Sequence, residues 1–175
     1  MKLVSVNPSN TSIKYRLGDA ILLPQTSARM KIKNFPNTIG YDYMNAIGWE
    51  PKPFNKDILT QVINKHIEKH NYKAPETEWV LHWRLYPRNK EVYIEKVNKL
   101  IKGEKITVCA AIHSGCVDGI EEFNKFIDQD NVTLQSSPNA DEDFCFAFQA
   151  KKLIITRGNF GDLLLRTRNN LSVRA

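Results

Sequence analysis

The sequence contains little cysteine and no long apolar segment, and both absences limit what the protein can be. Among its 175 residues there are three cysteines, Cys109, Cys116 and Cys145, an odd number and too few for a disulfide framework. Cysteine this sparse suits a reducing compartment. Because no apolar run is long enough for a signal peptide or a membrane span, we expect a cytoplasmic protein with no membrane-spanning segment.

Two common nucleotide-binding motifs are also missing. The chain has neither the G-x-G-x-x-G fingerprint nor a Walker P-loop. Each motif works by placing glycine backbone against phosphate, so its absence disfavours the standard dinucleotide-dependent and ATP-dependent enzymes. The sequence also has no internal repeat and no low-complexity run, which excludes solenoid and fibrous architectures.

The chain carries an excess of positive charge. Its formal net charge is +6 at pH 7, with 42% hydrophobic and 25% charged residues, proportions typical of a globular domain. A basic chain attracts partners that carry phosphate, but the lysines are spread over helical patterns, as on an ordinary solvated helix face. Net charge indicates solubility and non-specific attraction only. A basic nucleic-acid-binding protein is therefore a disfavoured alternative.

The hydrophobic pattern divides the chain near residue 77. Residues 1–77 are rich in turn-forming residues and contain one clear helical pattern, from Lys56 to His70, with apolar side chains at helical spacing. Residues 78–175 alternate short apolar runs with helical patterns, which predicts a parallel sheet with right-handed crossovers. We predict an α/β fold: a Rossmann-like, mostly parallel four-stranded sheet with helices on both faces, preceded by an irregular helical N-terminal region.

Four strands and four helices are predicted within residues 78–175. The predicted strands are Trp79–Leu85, Ile106–Ile112, Val132–Leu134 and Leu153–Thr156. The predicted helices are Asn89–Lys102, Val117–Ile127, Asp141–Lys151 and Phe160–Arg168. Gly103 follows the first of these helices, as glycine commonly does at a helix C-terminus.

Polar and basic residues follow the apolar strands, at the sheet edge where open parallel sheets bind ligands. They are His82 and Arg84 after the first strand, His113 and Ser114 after the second, Gln135–Pro138 after the third, and Thr156, Arg157, Gly158 and Asn159 after the fourth. Guanidinium groups offer forked, charged donors to phosphate, and a small-residue turn that opens a helix offers backbone N–H groups. We predict an anion-binding cleft here, with ordinary loop polarity as the alternative.

Other candidate groups are weaker. Cys109, His113 and Cys116 have spacing that would allow zinc ligation, but Cys109 lies in an apolar strand pattern, where cysteine behaves as a small hydrophobe. We therefore predict no metal site. Asp162, at the start of the last helix, disfavours a phosphate there, and its simpler interpretation is a helix cap.

Two of these segments resemble motifs of fucosyltransferase-like glycosyltransferases of the two-Rossmann-lobe type. The strand Val80–Leu85, with the sequence VLHWRL, resembles the His-x-Arg strand of that family, and Asp143–Gly161 is similar to its later donor-site motif. The resemblance covers residues 78–165. The whole chain also resembles uncharacterised proteins of this type from large algal DNA viruses, which implies the host cytoplasm as the location.

The resemblance implies that residues 78–175 are a donor-binding lobe for a nucleotide diphosphate sugar. It implies transfer of the sugar, of the fucosyl type, to a glycan or protein acceptor whose identity stays open. Arg84 is then the catalytic contact to the departing diphosphate, with His82 beside it. Asp143 reaches the nucleoside, and the phosphate turn is lined by Thr156, Gly158 and Asn159. The nucleotide diphosphate sugar is a substrate, and no other cofactor is implied because arginine can supply the stabilising charge.

Two departures from the family pattern keep alternatives open. The family follows its His-x-Arg strand with an Arg/Gly-Asp turn, whereas this chain has Tyr86-Pro-Arg88 and lacks the aspartate. The 77 residues before the sheet are also few for an acceptor lobe. A truncated chain, or a degenerate non-catalytic domain that binds a nucleotide or a protein, is therefore the second expectation. Asp19 and Asp42 are candidate general bases, and the sequence singles out neither.

Overall fold

A computed structural model describes residues 17–23, 27–84, 90–110 and 120–175 of the chain. The helices in these ranges are α1 (Leu17–Leu22), α2 (Ser27–Ile32), α3 (Ile39–Ile47), α4 (Lys56–His70), α5 (Lys90–Ile101), α6 (Ile120–Ile127), α7 (Ala140–Phe148) and α8 (Asn159–Thr167). The strands are β1 (Trp79–His82), β2 (Ile106–Cys109), β3 (Val132–Gln135), β4 (Lys152–Ile155) and β5 (Ser172–Arg174). None of the helices in the described ranges has the length and apolar character needed to cross a membrane.

The strands form one sheet in the order β3-β2-β1-β4-β5. Every pair of neighbours is parallel, which confirms the predicted Rossmann-like α/β fold. The predicted number of four strands is wrong, because β5 adds a fifth at the edge beside β4. Only three residues long and only partly buried, β5 lacks the apolar run by which a covered strand is identified in a sequence.

Helices cover both faces of the sheet, as the sequence predicts. On one face α5 and α6 pack against Trp79, Leu81 and Ile106 of the sheet. On the other face α7, α8 and the helices before β1 pack against a second apolar cluster that includes Val80 and Ile155. The two faces are filled by successive crossovers, α5 and α6 first and α7 and α8 afterwards, as in a doubly wound fold.

The N-terminal region contains more helix than the sequence pattern predicts. Instead of one helix, the described residues before β1 include α1, α2, α3 and α4. α4 has the predicted bounds, and the Asn55 Oδ1 atom accepts a hydrogen bond of 3.0 Å from the backbone N–H of Ile58 at its start. The apolar side chains of these helices share one core with the sheet, so residues on both sides of residue 77 are packed together.

Helix α1 lies directly against the start of α8. A Cβ atom added at Gly18 would overlap the backbone carbonyl group of Asn159 and would lie 2.5 Å from the backbone nitrogen of Phe160. Only glycine lets two helices approach this closely. The N-terminal region thereby fixes the position of the turn that leads from β4 into α8.

Arg168 joins the end of α8 to the end of α7. Its Nη1 atom donates to the carbonyl groups of Ala147 at 2.9 Å and Phe148 at 2.5 Å, and its Nη2 atom donates to that of Ala150 at 2.7 Å. The Ala147 and Phe148 carbonyls belong to the last turn of α7, and the Ala150 carbonyl lies two residues beyond it. The last four acceptors of a helix lack intrahelical partners, and a cation is favoured there. Burial lowers the pKa of Arg168 to about 10, which leaves the side chain charged at pH 7.

Candidate functional site

The sheet has its topological switch point between β1 and β4. These strands are neighbours, with His82 opposite Ile155, but the chain leaves β1 toward β2 and leaves β4 toward β5. The two connections lead in opposite directions along the sheet, and open α/β sheets bind ligands in the crevice beyond the carboxyl ends of the strands at such a point. Of the strand exits that the sequence singled out, the first and the fourth therefore meet at this crevice.

Backbone and hydroxyl hydrogen bonds join these two exits. The backbone N–H of Thr156 donates to the carbonyl of His82 at 3.2 Å, and the backbone N–H of Arg84 donates to the Thr156 Oγ1 atom at 3.0 Å. The Thr156 side chain is 3% exposed, so its role is to fix the two strand ends to each other. It supports the crevice and presents little surface to a ligand.

The guanidinium group of Arg84 lies over Gly158. A Cβ atom added at Gly158 would lie 2.5 Å from Arg84 Nη1, and the φ angle of 113° at this residue is one that glycine adopts and other residues rarely do. Gly158 directly precedes α8, and no side chain in the described ranges caps that helix. The exposed Arg84, the turn at Gly158 and the start of α8 therefore lie together.

His82 forms the inner wall of the crevice. Its ring stacks on Phe160 with centroids 4.6 Å apart and planes inclined by 17°. Along β1 and the two residues after it, Val80, His82 and Arg84 alternate with Trp79, Leu81 and Trp83. Val80 packs on the sheet face covered by α7 and α8, and Leu81 packs on the face covered by α5 and α6. His82 and Arg84 thus share the face that the two-residue strand period predicts.

The first turn of α8 supplies backbone donors and the nearest carboxylate. The N–H groups of Asn159, Phe160 and Gly161 have no partners within the helix, and the helix dipole favours an anion there. The side-chain amide of Asn159 donates to the Asp19 Oδ1 atom of α1. Of the two carboxylates named as candidate bases, the structure thus brings Asp19 to the crevice.

Asp42 lies elsewhere, in contact with a buried histidine. The His66 Nε2 and Asp42 Oδ2 atoms are 2.6 Å apart, and the His66 side chain is 4% exposed while that of Asp42 is 42% exposed. A catalytic pair of this type presents the imidazole to the substrate and buries the carboxylate behind it. The reversed arrangement here is typical of a structural contact between α3 and α4.

Sequence reasoning did not identify Arg174, a basic residue of β5 that also borders the turn. Its Nη1 atom donates to the carbonyl of Thr156 at 3.2 Å, and its Nη2 atom forms an ion pair with the Asp162 carboxylate. Arg157, in the same turn, is exposed. The turn between β4 and α8 is consequently bordered by Arg84, Arg157 and Arg174.

The structure does not bring Asp143 to this crevice. The Asp143 carboxylate accepts hydrogen bonds of 3.3 Å from the Gln135 side-chain amide and from the backbone N–H of Ser137. Both donors lie at the end of β3, two strands from β1. Asp143 is 6% exposed, and this burial raises its pKa to about 7 against the opposing effect of the two hydrogen bonds.

Asp143 is expected to make stability depend on pH. Its folded pKa exceeds the value of about 3.9 for an unfolded aspartate, so the folded state binds the proton more tightly. This contribution is full below about pH 4 and is lost as the pH rises through 7. We expect the unfolding free energy of the wild type, relative to Asp143→Asn, to fall by about 2.5 kcal/mol between pH 5 and pH 8, measured by urea denaturation. Glu104→Gln, which removes an exposed carboxylate, is the control, and a pH-independent difference for Asp143→Asn would contradict this assignment.

A separate cavity of about 270 Å³ lies between the starts of α3 and α7. Its polar lining groups already serve the fold. The Asn139 side chain accepts from the backbone N–H of Asp141 at 3.0 Å and donates to the Tyr72 hydroxyl at 3.1 Å. The Asp141 carboxylate accepts from the backbone N–H of Ile39 at 3.0 Å. With its helix starts capped in this way, the cavity is a weaker ligand site than the crevice.

Two predicted ligand residues, His113 and Ser114, lie outside the described ranges. Within those ranges no cluster of three or more metal-ligating side chains occurs. Cys109 is buried, as its strand pattern predicts, and burial raises the pKa of its thiol well above the ordinary value.

Comparison with protein-family models, with curated proteins and with solved structures found no match to this chain.

Proposed function

We propose that this protein binds a nucleotide diphosphate sugar at the β1–β4 switch point, with the diphosphate held by both the Arg84 guanidinium and the start of α8. The main support for this proposal is that the Arg84 guanidinium lies over Gly158, the residue directly before α8. A forked cation and a helix N-terminus that converge on one bare backbone turn suit a diphosphate better than a single carboxylate. The reason is that a diphosphate presents oxygens to both donors at once.

The surrounding groups support an anionic ligand. Arg157 is exposed beside the turn, and the lack of a side chain at Gly158 lets the Arg84 guanidinium lie directly against the turn. Asp19 opposes an anion by charge, but its carboxylate is engaged by the Asn159 amide. Asp162 is engaged by Arg174. The carboxylates near the turn are thus held by partners.

We further propose that the bound donor undergoes sugar transfer of the fucosyl type to a glycan or protein acceptor. In such a transfer the bond between the sugar and the diphosphate breaks, and negative charge grows on the departing diphosphate. Arg84 would stabilise that charge directly, an electrostatic contribution that a fixed cation makes without reorganisation. Asp19 is the carboxylate of the described site best placed to accept the proton of the acceptor hydroxyl.

A non-catalytic binding domain is the second candidate. The hydrogen bond from the Asn159 amide to Asp19 favours it, because a carboxylate engaged in positioning a helix start is less available as a base. Both candidate functions bind the nucleotide diphosphate sugar in the same crevice. They differ only in whether the bound sugar is then transferred.

We expect Arg84→Ala to weaken binding of the preferred nucleotide about ten- to hundredfold, since a hydrogen bond to a charged group contributes about 1.5–3 kcal/mol. Titration calorimetry with GDP, UDP and their sugars measures the loss. Arg84→Lys, which keeps the charge but not the fork, should fall between the two. Arg166→Ala removes an exposed arginine from the last turn of the same helix and should bind as the wild type does.

The same titrations separate the candidates. Binding accompanied by donor hydrolysis or transfer supports the enzyme, and binding without turnover supports the non-catalytic domain. Absence of binding by GDP, UDP and their sugars would reject the crevice as a nucleotide site. A nucleic-acid-binding protein instead predicts binding to DNA or RNA that weakens steeply with salt and hardly changes in Arg84→Ala.

A further inference from the structure

Asp162 presents an electrostatic problem for the proposed diphosphate. It lies in the first turn of α8, where the N–H groups and the helix dipole attract negative charge. A carboxylate in this turn is favoured by the helix for the same reason as a phosphate, and it repels a phosphate that binds beside it. An anion site here needs a group that neutralises Asp162.

Arg174 is in position to do so. β5 pairs with β4 in parallel, with Arg174 opposite Ile155, and the backbone N–H of Ala175 donates to the carbonyl of Ile155 at 2.9 Å. The Arg174 side chain then reaches past the end of β4. One of its nitrogens pairs with Asp162 in α8 and another donates to the Thr156 carbonyl at 3.2 Å.

This single side chain contacts residues on both sides of the turn between β4 and α8: Thr156 directly after β4, and Asp162 in the first turn of α8. Thr156 also holds the Arg84 backbone through its Oγ1 atom. Arg174 therefore helps to fix the geometry of the turn through Thr156 and neutralises the negative charge of Asp162. The Arg174 and Asp162 side chains are 44% and 33% exposed, and ion pairs this exposed contribute little to folding stability.

We infer that Arg174 is a positioning residue of the anion site: it neutralises Asp162 and holds the turn, so that the start of α8 accepts a diphosphate. This inference rests on the proposed function for the identity of the ligand. A purely structural ion pair would change stability and leave anion affinity unchanged. Neutralisation instead predicts an affinity loss in Arg174→Ala that a second, charge-removing substitution restores.

The test is a double-mutant cycle on the full chain with Arg174→Ala, Asp162→Asn and the double variant. Inorganic pyrophosphate and the preferred nucleoside diphosphate are titrated by calorimetry, and thermal unfolding is recorded for each variant. We expect Arg174→Ala to bind both about tenfold more weakly with little change in unfolding temperature. Asp162→Asn should bind at least as tightly as the wild type, the double variant should recover most of the loss, and Arg174→Lys should retain most of the affinity.

An Arg174→Ala variant with wild-type affinity, or a loss that Asp162→Asn does not restore, would overturn the inference. A wild type that binds pyrophosphate but no nucleotide would reject the proposed function and still allow the cycle to be completed with pyrophosphate. A wild type that binds neither would reject both. The proposed nucleotide-sugar function and the proposed role of Arg174 can therefore be rejected independently.

Discussion

Replacing Arg168 with methionine is expected to lower the free energy of unfolding by about 4 kcal/mol, because the change removes several hydrogen bonds that one buried, charged group donates. The guanidinium of Arg168 serves the carbonyls of Ala147, Phe148 and Ala150, and its Nε atom donates to the Ser172 Oγ atom at 2.9 Å. Methionine keeps the apolar length of the side chain and removes every donor. The loss is a large part of the roughly 5–15 kcal/mol that stabilises a typical domain.

Urea denaturation at pH 7 measures this loss, and thermal unfolding should show a midpoint about 10 °C lower. Arg166→Met is the matched control, since Arg166 is exposed in the last turn of the same helix and should change stability by about 0.5 kcal/mol or less. Near-equal effects of the two substitutions would mean that water replaces the guanidinium at the end of α7, contrary to our assignment.

The parts of the fold that the sequence predicts are those with a strong periodic pattern. β1, β2 and β4 are apolar runs, and α4 has five apolar residues at helical spacing, so each was located within a few residues. Helices α1 and α2 have six residues each, fewer than two turns, and periodicity cannot be identified over so short a stretch. Their positions depend on contacts with the sheet and with α8, which are not local in the sequence.

Only part of the candidate site could be predicted, because the site also depends on contacts that are not local in the sequence. The rule that ligands bind beyond the strand ends identified Arg84 and residues 156–159 from the sequence alone. Which exits meet depends on strand order, and an alternating pattern of strands and helices does not determine that order. Asp143 was grouped with Arg84 by the family resemblance, although its carboxylate faces the end of β3. Arg174 was missed because β5 has too little apolar sequence to be recognised.

The N-terminal region bears on the site through one glycine. We expect Gly18→Ala to lower the free energy of unfolding by about 3 kcal/mol, because the new methyl group would overlap the backbone carbonyl group of Asn159. Backbone atoms at the start of a helix cannot move aside as the end of a side chain can. Either α1 must move away from α8, or the start of α8 must shift.

Gly40→Ala is the matched control for this substitution. Gly40 also lies in a helix, but a Cβ atom there would lie 2.7 Å from Ile32 Cδ1, the far end of a side chain that can rotate. Replacing glycine by alanine within a helix contributes about 1 kcal/mol of stability, which offsets that small rearrangement. Urea denaturation of both variants should therefore give a large loss for Gly18→Ala and a change within about 1 kcal/mol for Gly40→Ala.

The position of Gly18 also links this stability effect to binding. Asp19, the next residue, accepts a hydrogen bond from the Asn159 side chain, so displacing α1 removes a contact that orients the first turn of α8. Folded Gly18→Ala protein should bind pyrophosphate more weakly than Gly40→Ala when both are measured well below their unfolding temperatures. Equal affinities with unequal stabilities would mean that α8 keeps its position and α1 alone moves, and the N-terminal region would then support the fold without shaping the anion site.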